Sequence, residues 1–446
     1  MQDLSSFFEP AALKENFDRL LEGHYDVIKK KHRVSIGADK IDLSLFRRDQ
    51  DKHLRAVQRK VMQGRYTFSA FLEHKIPKVD SKDMRTISIA SIRDTIVQRA
   101  LYNYLYDQVD ARLDDSIYGY RRGRSAHDAV KKIRWHFREK RVFVFDADLS
   151  EFFNEIDHET MMEKVNRLDG IAPVASKLIF RFLKTRKISP TEGKRVKEAK
   201  GKLLKYKPER RTAGVPQGGV LSGLLSNLYL AEFDQEVVSE FSGYVRYADD
   251  FVICCESKAE CASLREYVKV HLPKGSRLNE SKTTDCVLAD RGVDFLGFRI
   301  TSSKLRVRGR NIGKFKQRID GVIAKQTEIK FSKWEKSLGY LIRNITLKIE
   351  GPREEDLQEY ANAGFTVAKY RRSWIGFFRI VDDDEQIRQI DRWLRTRVKL
   401  YMWKRFRVKL SFTQLQEAGL PTLLNTKYKA RKSLPIEPTD GLAISE

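Results

Sequence analysis

Residues 243–255, GYVRYADDFVICC, constrain this chain more than any other stretch. Apolar, β-branched and aromatic residues flank Ala248-Asp249-Asp250, so the pattern predicts strand, tight turn, strand, with two carboxylates at the bend. RVFVFDAD (141–148) reads as another strand. It also ends in carboxylates, Asp146 and Asp148, about a hundred residues before the pair. An Asp-Asp pair alone is common at surface turns, so its meaning depends on what accompanies it.

The charge balance narrows the partners. Lys and Arg number 86 against 61 Asp and Glu, a net of +25. A chain this basic repels itself unless a polyanion neutralises it, which points first to nucleic acid. At 446 residues, two or three domains are expected, and 41% hydrophobic residues suffice for their cores. No apolar run approaches the ~18 residues of a membrane span. MQDLSSFFEP lacks the basic and apolar regions of a secretory signal, so a cytoplasmic location is expected. Cys254, Cys255, Cys261 and Cys286 form no CxxC pair and read as reduced, buried thiols.

Helical spacing of apolar residues covers 11–30 and 92–108, with short strands between 64 and 90 and a helix from His158. Residues 181–211 hold 13 Lys or Arg against three acids, which predicts a solvated arm suited to phosphate. Residues 293–300, VDFLGFRI, read as one strand, and from about 310 the pattern is helical. Residues 386–410 carry nine Lys or Arg and one acid, Asp391, interleaved with aromatic and aliphatic residues. Trp393 and Trp403 within it are expected in the core.

Three aspartates from two distant strands are what phosphodiester synthesis asks for. Two divalent ions ~3.5–4 Å apart would activate a 3′-hydroxyl and stabilise departing pyrophosphate. Hard cations such as Mg²⁺ take only one or two carboxylates each from a protein. Asp148, Asp249 and Asp250 form such a set.

The surrounding motifs resemble those of group II intron reverse transcriptases, in family order, over residues 15–300. YADD (247–250) resembles their Y-x-D-D box, and FDADLSEFFNEID (145–157) the motif that supplies the first aspartate. GVPQGGVLSGLLSNLYL (214–230) resembles G-x-P-Q-G-x-x-x-S-P-L-L-x-N. RTISIASIRDTIVQRAL (85–101) and SIYGYRRGRSAHDAV (116–130) resemble the two fingers motifs, and LNESKT (278–283) and FLGF (295–298) the later segments. RRSWIGFF (371–378) and the basic stretch to 407 resemble the intron-encoded thumb.

This resemblance implies an α+β right-hand polymerase, with fingers at 1–140, an antiparallel palm at 141–300, a helical thumb at 301–430 and a tail at 431–446. The 181–211 insertion would sit on the fingers side. It implies that Asp148, Asp249 and the Leu149 backbone hold two Mg²⁺ ions, Mn²⁺ being the alternative, with Asp250 in support. Phe153 would be the gate beneath the incoming sugar, and Gln217 would lie against the nucleotide. Lys78 and Arg85 would reach its triphosphate, and Lys282 would protonate pyrophosphate. Phe295, Leu296, Gly297 and Phe298 would grip the primer end. Arg395, Arg397, Lys404 and Arg405 would meet phosphates of an RNA–DNA duplex. The implied partners are an RNA template, a DNA or RNA primer and deoxynucleotides.

Four departures qualify the resemblance, one being that the basic 181–211 segment is longer than the family leads one to expect. Ser222-Gly223-Leu224 lacks the family's proline, RTISIA replaces R-P-L-G-I-P, and no endonuclease pattern follows the thumb. They favour a domesticated bacterial relative, such as a defence-associated enzyme bound to one structured non-coding RNA. A maturase with an incidental polymerase site, and a template-independent or protein-primed DNA synthesiser, are the competing readings.

Overall fold

The computed structural model describes residues 3–26, 31–77, 84–188, 209–352, 354–362 and 373–433. At its centre lies a four-stranded antiparallel sheet in the order Thr284–Leu288, Phe143–Asp148, Asp250–Cys255, Tyr244–Tyr247. Side chains alternate across a strand, and here both faces are covered. Phe145, Ala147, Phe251 and Ile253 enter one core with the helices Ile92–Asp110 and Ser222–Glu240. Val144, Val245, Val252 and Cys254 enter a second core with residues 289–430 and the helix Ala126–Arg138. Near-continuous apolar strands follow from that double burial. The α+β class expected from the sequence is the class observed.

A second sheet runs Met84–Ile89, Phe71–Pro77, Arg186–Ile188, Glu209–Arg210. Its last two strands correct the expectation of a solvated arm at 181–211, because the described ends of that segment are built into the fold. Phe182 and Leu183 are fully buried. Arg181 donates to the carbonyls of Gly64 (2.8 Å) and Tyr66 (2.6 Å). Arg211 is buried, pairs with Glu73 and donates to Ser88 Oγ at 2.9 Å. Residues 189–208 lie outside the described residues.

Residues 293–300 are not one strand but a hairpin, Val293–Phe295 against Phe298–Ile300, with Leu305–Val307 as a third strand. Leu296 and Gly297 turn the chain at φ 48° and 83°. Positive φ suits glycine but costs a residue with a Cβ, so a pattern of alternating apolar residues hides such a turn. Beyond it the chain is helical as expected, with Gly309–Thr327, Trp334–Ile349, Asp384–Phe406 and Leu423–Ser433 as the longest members. Among the described residues, no helix is long and apolar enough to cross a membrane.

Candidate active site

The pairing of Phe143–Asp148 with Asp250–Cys255 sets Asp148 directly opposite Asp250. Asp146 falls on the same face two residues earlier. Asp249 sits in the turn, whose Ala248 is held at φ 60°, and its carbonyl accepts from Leu149 N at 3.0 Å. LNESKT folds onto Asp148. Asn279 Nδ2 lies 3.1 Å and Lys282 Nζ 2.7 Å from its Oδ2.

Electrostatics identify this as a site of excess negative charge. Burial, then the Asp148 carboxylate, raises the pKa of Asp249 above the ordinary carboxylate range, against the pull of Lys282 and Arg85. Burial, then Asp146, Asp249 and Asp148, raises that of Asp250 well above it. Asp146 is pushed up to about 7, chiefly by burial, with Arg308 opposing and Asp294 and Asp148 adding to the shift. Like charges crowded this way invite a compensating cation, and the Lys282 ammonium already sits on Asp148. Among the described residues, no group of three or more His, Cys, Asp and Glu side chains is disposed to hold a metal ion. Mg²⁺ does not require one, since it keeps waters and takes one or two carboxylates. The residues fit such ions.

Three further segments carry the residues expected to meet the nucleotide. The chain leaves Asp148 through Glu151 at φ 43° into a one-turn helix, Phe152–Glu155, rather than an extended segment. The two phenylalanines nevertheless part company. Phe152 is 2% exposed in the first core, whereas Phe153 is half-buried with its ring 6.1 Å from that of Tyr120, edge-on. Gln217 is half-buried, and its carbonyl accepts from Ser88 N at 2.7 Å, joining the turn to the second sheet. Arg85 is exposed on that sheet, and Lys78 lies outside the described residues.

Several side chains bear on the site that motif reading passed over. Tyr120, at φ 59°, stacks against Gly223, where a Cβ would come within 2.5 Å of its ring. The missing proline of this segment is thus explained by Tyr120, which leaves no room for any side chain there. Arg246, fully buried, donates to Asp234 Oδ1 (2.7 Å), Asn227 Oδ1 (3.1 Å) and the Ala248 carbonyl (2.9 Å). Tyr244 donates to the same Asp234 at 2.8 Å, and Asn227 to the Gly119 carbonyl at 2.8 Å. This network holds the aspartate turn from behind. A charge inside an otherwise apolar strand, as in GYVRY, was its one visible signal.

Two groups of residues need correction. Of the four expected at the primer, Phe295 and Phe298 are fully buried, and only the hairpin tip, Leu296 and Gly297, reaches solvent. Their alternation with the tip places both rings under the hairpin, in the second core. Of the four phosphate-binding cations, Arg397 pairs with Asp320 at 2.6 Å, and Arg405 donates to the carbonyls of Gln326 (2.8 Å) and Ile329. Arg395 reaches Thr422 Oγ1 at 3.2 Å, while Lys404 is exposed. Trp393 is half-buried against the core as expected, but Trp403 is 42% exposed. The i, i+4 phase of the helix puts Val398 and Tyr401 inward and so turns Trp403 out.

An antiparallel sheet with carboxylates at its central turn and helices behind it is the architecture of an α+β nucleic-acid polymerase. Residues 76–300 match the family model described as reverse transcriptase (RNA-dependent DNA polymerase), and the chain belongs to that family. The expected enzyme class, RNA-directed DNA polymerase, is the one this family defines. Protein YkfC of Escherichia coli (strain K12) is 27% identical over 328 residues, 64% of this chain and 81% of YkfC. The group II intron-encoded protein LtrA of Lactococcus lactis subsp. cremoris is 26% identical over 334 residues, 60% of this chain and 53% of LtrA. The chain thus spans about half of LtrA. Among solved structures, Candida albicans telomerase superposes with a TM-score of 0.39 at 14% identity, covering 87% of this chain and 65% of that one.

Proposed function

We propose that this chain copies an RNA template into DNA at the Asp148–Asp249–Asp250 cluster. The observation that carries this reading is the register setting Asp148 opposite Asp250, with Asp249 at the adjoining turn. Asp148 and Asp249, with the Leu149 carbonyl, would hold two divalent ions, Mg²⁺ or Mn²⁺, while Asp250 supports the pair from the strand. Bound there, such ions acidify the primer hydroxyl and offset charge on the leaving pyrophosphate.

The chain's own side chains do the rest. Arg85, on the second sheet, and Lys78 bind the triphosphate, where cations offset charge developing on the leaving group. Lys282 exchanges Asp148 for the phosphates and delivers a proton to pyrophosphate. Phe153 closes the floor of the sugar pocket, and Gln217 lies against the nucleotide. The hairpin tip at Leu296 and Gly297 steadies the primer end. In this reading residues 1–140, 141–300 and 301–430 act as fingers, palm and thumb.

The test is primer extension on an RNA template beside a gel shift. Asp249→Ala with Asp250→Ala should abolish metal-dependent extension while RNA binding survives, because phosphate contacts lie elsewhere on the basic surface. Extension above about a tenth of wild type would overturn the assignment, since losing the metal ligands removes far more than the ~1.4 kcal/mol of a tenfold effect.

The biological reading goes further: a cytoplasmic enzyme bound to a dedicated structured RNA and acting in phage defence. It is supported by the +25 charge and by the departures from the intron pattern at Ser222-Gly223-Leu224 and at RTISIA. Sequencing the RNA and complementary DNA that co-purify from native cells tests it. One recurrent RNA with its DNA copy supports it, and a heterogeneous pool sinks it.

A further inference from the structure

The solvent face of the Asp384–Phe406 helix carries chemistry that the carboxylate site does not use. Arg395, Lys399 and Trp403 follow at i, i+4 and i+8, so they form one stripe. The helix stops at Arg407, whose left-handed backbone (φ 58°) accompanies a guanidinium set 5.0 Å from the Trp403 ring centroid. The chain then returns, and Phe412 lays its ring beside the stripe. Lys399 Nζ is 4.7 Å and the Arg395 guanidinium 5.4 Å from its centroid. Both rings are open to solvent, Trp403 at 42% and Phe412 at 46%.

The charge around them is one-sided. From Arg392 to Phe412 the chain holds eight Lys or Arg and no acid. Arg397 and Arg405 are tied to their own chain, and Arg392 pairs with Glu385 at 2.6 Å. Arg395 also donates to Thr422 Oγ1 at 3.2 Å, whereas Lys399 and Arg407 have the two rings as their neighbours. Exposed aromatic faces beside unneutralised cations are what an unpaired nucleic-acid strand requires. Each base offers a flat π-face, and each phosphate a charge. A duplex hides its base faces inside the stack and would gain from the cations alone. An acidic protein would meet the charges but has no series of flat faces to lay on the rings.

We infer that this stripe docks unpaired RNA nucleotides. Bases stack on Trp403 and Phe412, and phosphates meet Lys399 and Arg407. The inference rests on the reading that the chain handles RNA, but it concerns binding and not polymerisation.

The experiment uses the full chain and two fluorescent probes, an unstructured RNA about 10–15 nucleotides long and a blunt RNA–DNA duplex of equal length. Trp403→Ala with Phe412→Ala should weaken single-stranded RNA binding about tenfold or more, and duplex binding less than about twofold. Trp403→Phe with Phe412→Tyr keeps both π-faces and should stay within about threefold of wild type. Lys399→Gln and Arg407→Gln should each flatten the slope of log K against log salt for the single strand by about 0.7. Equal losses on both probes, or none on either, overturn the inference. The first outcome would mean a plain phosphate grip, the second another partner for the rings. Wild-type protein that binds the single strand but extends no primer would refute the polymerase reading and leave this one standing.

Discussion

Phe152 and Phe153 are adjacent, chemically identical and differently placed. Phe152 is locked in the first core, while Phe153 is half-buried with its ring edge-on to Tyr120. A close-packed pocket has no room for an extra oxygen, and overpacking costs ~1–3 kcal/mol. That corresponds to about tenfold in kcat/KM per 1.4 kcal/mol. Phe153→Val should therefore raise ribonucleotide use markedly, with a smaller loss on deoxynucleotides. Phe152→Ala should instead lower stability by about 3–5 kcal/mol without changing sugar choice. Single-nucleotide incorporation with both sugars on one RNA template decides the matter. Unchanged discrimination in Phe153→Val would shift the motif's register and make Asp146 the candidate in place of Asp148.

At the scale of elements, the aspartate turn depends on a helix about twenty residues upstream in the chain. Asp234 and Asn227 of Ser222–Glu240 hold Arg246 of the first hairpin strand, and Arg246 holds the carbonyl of Ala248. Every member is buried, so removing one leaves the others without a partner in a low-dielectric interior. Arg246→Met should cost about 3–5 kcal/mol, seen as a lowered unfolding midpoint. Adding Asp234→Leu should recover part of that loss, because a matched apolar pair leaves no uncompensated charge. If the double variant is less stable than the single, the pair is not the source of the cost. The same logic holds at the described ends of 181–211, where Arg181 at the end of a helix and Arg211 beside a short strand each satisfy buried acceptors.

For the whole molecule, a net charge of +25 suits a polyanion as partner but does not say where it would lie. Burial and pairing redistribute the cations. Arg397 and Arg405 serve the helical bundle through Asp320 and two backbone carbonyls, whereas Lys404 faces solvent. Arg397→Gln with Arg405→Gln should then lower the unfolding temperature and leave the salt dependence of RNA binding nearly unchanged. Lys404→Gln should do the reverse, reducing the slope by about 0.7–0.9 if it meets one phosphate. Thermal melts beside a salt titration check both. A fall in slope with Arg397 and Arg405 removed would show that they leave their internal partners when RNA binds.

Local patterns in the sequence determined the strand–turn–strand at 243–255, the helices at 92–108 and beyond 310, and the aspartates of the site. Each is written in short-range periodicity, or in a motif whose residues act together over a few positions. The tertiary structure alone decided which side chains meet across long separations. Lys282 comes onto Asp148 from 134 residues away, and Arg211 reaches Glu73 across 138. Gly223 takes the place of a family proline because Tyr120 packs there, a contact no spacing rule contains. The VDFLGFRI turn and the inward primer-loop phenylalanines were illegible for a related reason. An apolar residue reads the same whether it lines a core or a cleft, and only the packing of its neighbours separates the two.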